Sequence, residues 1–217
     1  MSEILFDTPS TYEHLTSLDK PITLAPDGQQ FLEHHDMGLA DQVTSWRDGR
    51  VARRFGSKIE GVGLIAHAPI PSGSIVAIKT GRVVSEAKVR DHMDIINYSQ
   101  QQIGPDQFLA GLTSDEVDRN LVGYNHSCDP NAEVILIPGT TLAFIRTTQI
   151  VETGEEVTID YSLSHTSDTH KIDVCMCGAD NCRGTIDPSK DWRDPEYRAK
   201  NYDLFAWYMK DSIQNYE

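Results

Sequence analysis

At 217 residues and 24.3 kDa, the chain suits one domain with extensions or two small ones. Its 39% apolar and 24% charged residues fit a globular protein and exclude a collagen-like or low-complexity one. Nineteen Lys and Arg against 33 Asp and Glu give a net charge of −14, a field that repels nucleic-acid phosphates and attracts basic proteins or peptides, although acidic surfaces also serve solubility alone. The longest apolar run, Leu204 to Met209, is six residues, so no membrane span is expected. MSEILFDTPSTYEHL has no basic stretch followed by an apolar one, so an intracellular setting is expected, nucleus or cytoplasm.

Residues 1–49 are polar and irregular, punctuated by Pro9, Pro21, Pro26 and Gly28, and are expected to form an arm or a small preceding layer. His34, His35 and Asp36 lack further ligands at a metal-binding spacing and are read as surface. From Arg50 the pattern changes to short β-branched runs: Gly63–Ala68, Ser74–Ile78, Phe108–Leu109, Glu133–Ile137, Thr141–Ile145 and Glu156–Ile159. Close turn signals such as Pro138-Gly139 and Thr153-Gly154 make these short strands in small sheets, not the strand–helix alternation of a parallel α/β fold. Two helical insertions are expected, one capped by Ser85 and running through EAKVRDHM, one starting at the TSDE capping box near Thr113. After Gly184, Asp194-Pro195-Glu196 reads as a helix start, and Tyr202, Phe205, Ala206, Met209 and Ile213 recur at helical spacing as a packing face.

The four cysteines are unevenly placed: Cys128 stands alone, and Cys175, Cys177 and Cys182 share one tight loop. Zinc takes four tetrahedral ligands, so the three late thiolates leave one vacancy that only Cys128 can fill with a fourth thiolate. Such a site uses every cysteine and is structural; free cysteines are the alternative. Taken alone, Asn125-His-Ser-Cys-Asp-Pro-Asn131 is a polar loop, Gly154-Glu-Glu-Val-Thr-Ile-Asp-Tyr161 a turn and strand with Tyr161 in a core, and Gly61-Val-Gly63-Leu64 a weak glycine signal.

In combination and order, GVGL, NHSCDPN, GEEVTIDY and CxCx4CRG resemble the SET-domain protein-lysine methyltransferases, from about Arg50 to Ile186. The resemblance implies a mainly β fold with some α: several small sheets with a knot-like crossing, a zinc-bound post-SET tail and a C-terminal helix. It divides the chain into 1–49, a SET domain at 50–165, a post-SET segment at 166–187 and a helical extension at 188–217. It implies S-adenosylmethionine as methyl donor, contacted by Gly61, Val62, Gly63, Leu64, Asn125 and His126. One structural zinc would be held by Cys128, Cys175, Cys177 and Cys182, Tyr161 would be the active-site tyrosine, and the acceptor would be a lysine of a histone or another basic protein.

Methyl transfer from a sulfonium is an in-line displacement, in which positioning is worth about 7–11 kcal/mol at best. The amine must first be neutral, which burial and a nearby positive charge favour. A phenol can then orient it; with an ordinary pKa of about 10, Tyr161 is an orienting hydroxyl and not an obvious base. Three positions depart from the family pattern: Val122-Gly123-Tyr124 replaces an Arg-Phe-Ile type triplet, Lys79 stands where a tyrosine often lines the lysine channel, and Ile159 stands where Phe or Tyr is common. The first two departures motivate a second reading, a SET-fold binding module that recruits a basic partner without turnover; Ile159 leaves the number of methyls added open. A third is an unrelated zinc-stabilised scaffold.

Overall fold

The computed structural model describes residues 10–39 and 42–216; Met1–Pro9, part of the stretch read for a targeting signal, lie outside them. The strands in chain order are β1 (Trp46–Arg47), β2 (Val51–Phe55), β3 (Val62–Ala66), β4 (Ile75–Lys79), β5 (Arg82–Val84), β6 (Gln101–Gly104), β7 (Gln107–Ala110), β8 (Asn125–His126), β9 (Ala132–Leu136), β10 (Ala143–Thr147) and β11 (Glu156–Ile159). They form three small sheets ordered β1-β4-β10-β9, β2-β3-β11-β8 and β5-β7-β6. Both faces of β4 and β10 are covered, which is why these strands read as continuous apolar runs and not as alternations.

The second sheet carries the crossing. Its late strand β11 lies between two earlier ones, antiparallel to β3 and parallel to β8, with Thr158 opposite Asn125 and Ile159 opposite His126. Leu64, Val76, Ile145, Val157 and Ile159 form the apolar core beneath it.

The polar N-terminal segment folds into α1 (Thr11–Thr16) and α2 (Pro26–Asp36). Ser10 caps α1 in a capping box with Glu13, and Thr11 donates to the Asp36 carboxylate from its N–H at 2.8 Å and its hydroxyl at 2.5 Å. Each helix sends one leucine into the first sheet: Leu15 and Leu32 are fully buried against Ile75, Ile78 and Phe144. Leu15→Ala is therefore expected to destabilise the fold by about 2–5 kcal/mol, measured as a lower midpoint in urea; a change below about 0.5 kcal/mol would mean that the layer is not docked.

Ser85 caps a helix as expected, but His92 leaves helical geometry (φ −123°, ψ 21°) and splits it into α3 (Glu86–Asp91) and α4 (Met93–Ile96). Thr113 caps α5 (Ser114–Asn120), although the Glu116 carboxylate turns back to the Leu112 N–H and to Arg82 and does not close a capping box. The C-terminal stripe is not one helix. It is α6 (Pro195–Asn201), a 3₁₀ turn at Tyr202–Leu204, an extended step at Phe205–Ala206, and α7 (Trp207–Gln214). The break lets the Ala206 N–H bond the Leu163 carbonyl at 2.8 Å and buries Phe205 beside Leu163 and Trp192.

Candidate functional site

Asn125 and His126 sit on the two-residue strand β8, and Tyr161 follows β11 by two residues, so their pairing brings the two motifs together. The Tyr161 N–H donates to His126 Nδ1 at 3.3 Å. That sets the imidazole proton on Nε2, which faces Cys128 Sγ at 3.4 Å and donates to the sulfur. Burial lowers the His126 pKa to about 4 against the opposing Asp160 carboxylate, so the ring is neutral. The Tyr161 hydroxyl donates to the Tyr124 carbonyl at 3.3 Å. Burial, then the charges of Glu156 and Glu60, raise its pKa, which keeps it a donor at neutral pH.

Asn125 Nδ2 lies 2.9 Å from the Glu60 carbonyl, 3.0 Å from the Val62 carbonyl and 2.7 Å from Glu156 Oε1, stapling the 57–62 turn to β11. The two glycines of the GVG motif do different things. Gly61 adopts a left-handed φ of +46° with open space where a Cβ would project, whereas a Cβ on Gly63 would lie 2.6 Å from the Glu156 carboxyl. Leu64 is fully buried and its backbone is paired to Arg53 and Val157, so only Gly61 and Val62 stand at the open end. The carboxylates of Glu156 and Glu60, whose charges act on the phenol, give the site a negative field.

Cys128, Cys175, Cys177 and Cys182 converge, with all four sulfurs within 4.8 Å of one another. A tetrahedron with Zn–S of about 2.3 Å needs S–S edges of roughly 3.8 Å, so the quartet fits a tetrahedral ion with small adjustment. Against the upward push of burial, backbone donors at Cys128 and Ala179 draw Cys177 down to about 6, while burial raises Cys175 to about 11 and Cys128 further. Only a cation lets all four ionise together.

The tail is tied to the phenol by residues that sequence reasoning missed. Arg183 pairs with Asp160 through two hydrogen bonds of 2.6 and 2.8 Å, its N–H donates to Cys128 Sγ at 3.3 Å, and the Tyr197 hydroxyl donates to Asp160 at 2.9 Å. Asp160 thus joins the cysteine loop, α6 and the residue next to it, Tyr161. The signal was present in the CRG and IDY triplets, but nothing in their spacing declared a mutual ion pair.

Lys79 is fully buried and donates to the Asn120 carbonyl at 3.1 Å, with no carboxylate partner among the described residues. Burial lowers its pKa to about 7. The folded state therefore resists protonation that the unfolded chain accepts up to its ordinary value near 10.4. Because the unfolded state binds more protons between about pH 7 and 10.4, stability should rise with pH across that window, by at most a few kcal/mol. Lys79→Met should flatten this rise in denaturation midpoints; an unchanged slope would place the ammonium in contact with water.

Residues 61–162 match the family described as SET domain. The chain carries a SET domain. Relatives of its SET domain include human "Histone-lysine N-methyltransferase 2D", 30% identical over 74% of this chain. Two others are from Cryptococcus neoformans: a "Histone-lysine N-methyltransferase, H3 lysine-4 specific", 35% identical over 60% of the chain, and an "H3 lysine-36 specific" one, 33% identical over 58%. The chain spans only 3%, 9% and 16% of the lengths of these three proteins. The small-sheet architecture accords with the SET fold, and among the described residues no helix is long and apolar enough to cross a membrane.

Proposed function

We propose that this SET-domain protein transfers a methyl group from S-adenosylmethionine to a lysine side-chain amine of a basic protein, a histone being the first candidate. The observation that carries this reading is the convergence of Tyr161, His126 and Cys128 through the pairing of β8 with β11. The relatives named as histone-lysine N-methyltransferases and the net charge of −14 support it. In the proposed division, residues 50–165 are the SET body, 166–187 the zinc-binding post-SET tail and 188–217 the extension that buttresses Asp160 through Tyr197. Residues 1–49 form the preceding layer, and the protein works inside the cell.

Bound S-adenosylmethionine supplies an electrophilic methyl on a positively charged sulfur. Gly61 and Val62 offer backbone groups at the mouth, and Asn125 holds their turn against Glu156. Gly63 and Leu64 contribute by fixing the strand behind them. The Tyr161 phenol and the Tyr124 carbonyl orient the neutral amine, and Glu156 and Glu60 stabilise the positive charge that gathers there. Cys128, Cys175, Cys177 and Cys182 would hold a zinc ion that ties the tail to the 125–131 loop, and Arg183 pairs with Asp160 across that junction.

Calorimetric titration tests the donor site. The wild-type protein should bind S-adenosylmethionine, and Asn125→Ala should weaken binding by about tenfold or more, since at least one charge-assisted hydrogen bond is lost. No heat with the wild type would overturn the donor assignment.

A further inference from the structure

One stretch reverses the sign of this acidic chain. Residues 50–58 hold Arg50, Arg53, Arg54 and Lys58 and no acid, against a net charge of −14 for the whole. Arg50 pairs with Asp48 and Arg53 with Asp118, whereas Arg54 and Lys58 are exposed and pair with no carboxylate among the described residues. Between them Phe55 is 92% exposed. All three stand at the tip of the β2–β3 hairpin, beside the left-handed Gly56. Strand β2 is also an outer strand of its sheet, paired to β3 alone. Ala66 of β3 bonds away from β2 on both counts, its N–H to the Glu155 carbonyl at 2.9 Å and its carbonyl to the Gly154 N–H at 2.8 Å. Antiparallel bonding alternates along a strand, so Ile65 and Gly63 are the β3 residues that bond β2, at Ala52 and Arg54. Arg53 and Phe55 therefore turn their N–H and carbonyl groups to the open edge, where no backbone group among the described residues meets them. Side chains alternate as well: Phe55 lies on the face of Val62, and Arg54 on the opposite face with Gly63.

We propose that the open edge of β2 is a docking surface for an extended segment of a partner protein in which acidic residues alternate with apolar ones. The segment adds to the sheet as a further strand through the free backbone groups of Arg53 and Phe55. On one face its carboxylates meet Arg54 and the neighbouring Lys58; on the other an apolar side chain covers the Phe55 ring, as cross-strand neighbours do. Charge selects this occupant over two others. A second copy of β2 would set arginine against arginine. A nucleic-acid duplex is too wide to meet the tip alone and would press its phosphates against the acidic remainder of the chain. A single added strand lies about 4.8 Å from β2, inside the screening length of about 8 Å, and so stays under the tip's positive charge. The docked segment is one strand away from Val62 at the donor mouth, yet its recognition is independent of the transferase reading.

Fluorescence anisotropy with the full chain, without methyl donor, tests this on labelled synthetic peptides of about ten residues, a usual strand length. A peptide alternating Glu with Val should bind saturably, and more weakly as salt rises. The same peptide with Lys in place of Glu should not bind. Nor should the Glu peptide N-methylated at the Val positions and, separately, at the Glu positions, in at least one of the two cases, because one set of N–H groups faces β2. Joint Arg54→Glu and Lys58→Glu substitution should weaken binding at least about tenfold, the loss and reversal of two charge pairs. Phe55→Ser should weaken it by a few-fold. Both variants should melt as the wild type does, since the substituted side chains are exposed. Failure of the Glu peptide to bind at millimolar concentration, equal binding of the Lys peptide, full binding of both N-methylated forms, or undiminished binding by the double variant would overturn the proposal. So would tighter binding of a duplex DNA of the same length, or a concentration-dependent dimer abolished by the same substitutions. None of these outcomes touches the methyl-transfer reading.

Discussion

Tyr161→Phe is expected to lower methyl transfer at least about 100-fold, the scale on which loss of one preorganised donor acts, while the affinity for S-adenosylmethionine stays as in the wild type. The hydroxyl donates to the Tyr124 carbonyl and does not brace the fold otherwise, whereas the ring keeps its packing against His126 and His170. Phe preserves that packing and the Tyr161 N–H to His126, so donor binding and melting temperature isolate the hydroxyl's part in chemistry. Since the phenol is held protonated, the rate should show no rise on deprotonation of Tyr161 through pH 9 to 10, the region of an ordinary phenol. A Phe variant with wild-type turnover would remove Tyr161 from the reaction.

Stripping the thiolate site should be nearly as damaging by a different route. Metal analysis of the purified protein should give about one zinc per chain. A strong chelator should then cost at least about 3 kcal/mol, a fall of roughly 10 °C in melting temperature for a chain of this size. Without the ion the Cys175–Cys182 loop loses its hold on Cys128, and Arg183 loses its approach to Asp160. Donor binding should fall in parallel, because His126 donates to the Cys128 sulfur. Cys128→Ser should mimic the chelator. Unchanged melting with no zinc in the preparation would make the quartet four ordinary thiols.

What could be read beforehand depended on how local its cause was. The runs that became β4, β9, β10 and β11 declared themselves through β-branched residues between turns, and Ser85, Thr113 and Asp194 cap helices as their side chains foretold. The cysteine quartet was legible because only one further cysteine was available for a fourth thiolate. The N-terminal helices gave little sign, since each buries a single leucine and most of its surface faces water. The strands β1 and β8, two residues each, exist only because partners far along the chain align them. The helix break at Phe205 follows from a tertiary bond to Leu163 that no periodicity records. Lys79 was open in the sequence: the resemblance put it at a position that often lines the lysine channel without fixing where it points, and the covered faces of β4 show that it turns into the protein toward Asn120.

The most direct test of the central claim is transfer of radiolabelled methyl from S-adenosylmethionine to core histones by the wild-type chain, followed by amino-acid analysis of the labelled protein. The account predicts label on lysine side chains and background counts with Tyr161→Phe. Saturable donor binding with no label on any basic protein, or label on residues other than lysine, would contradict it.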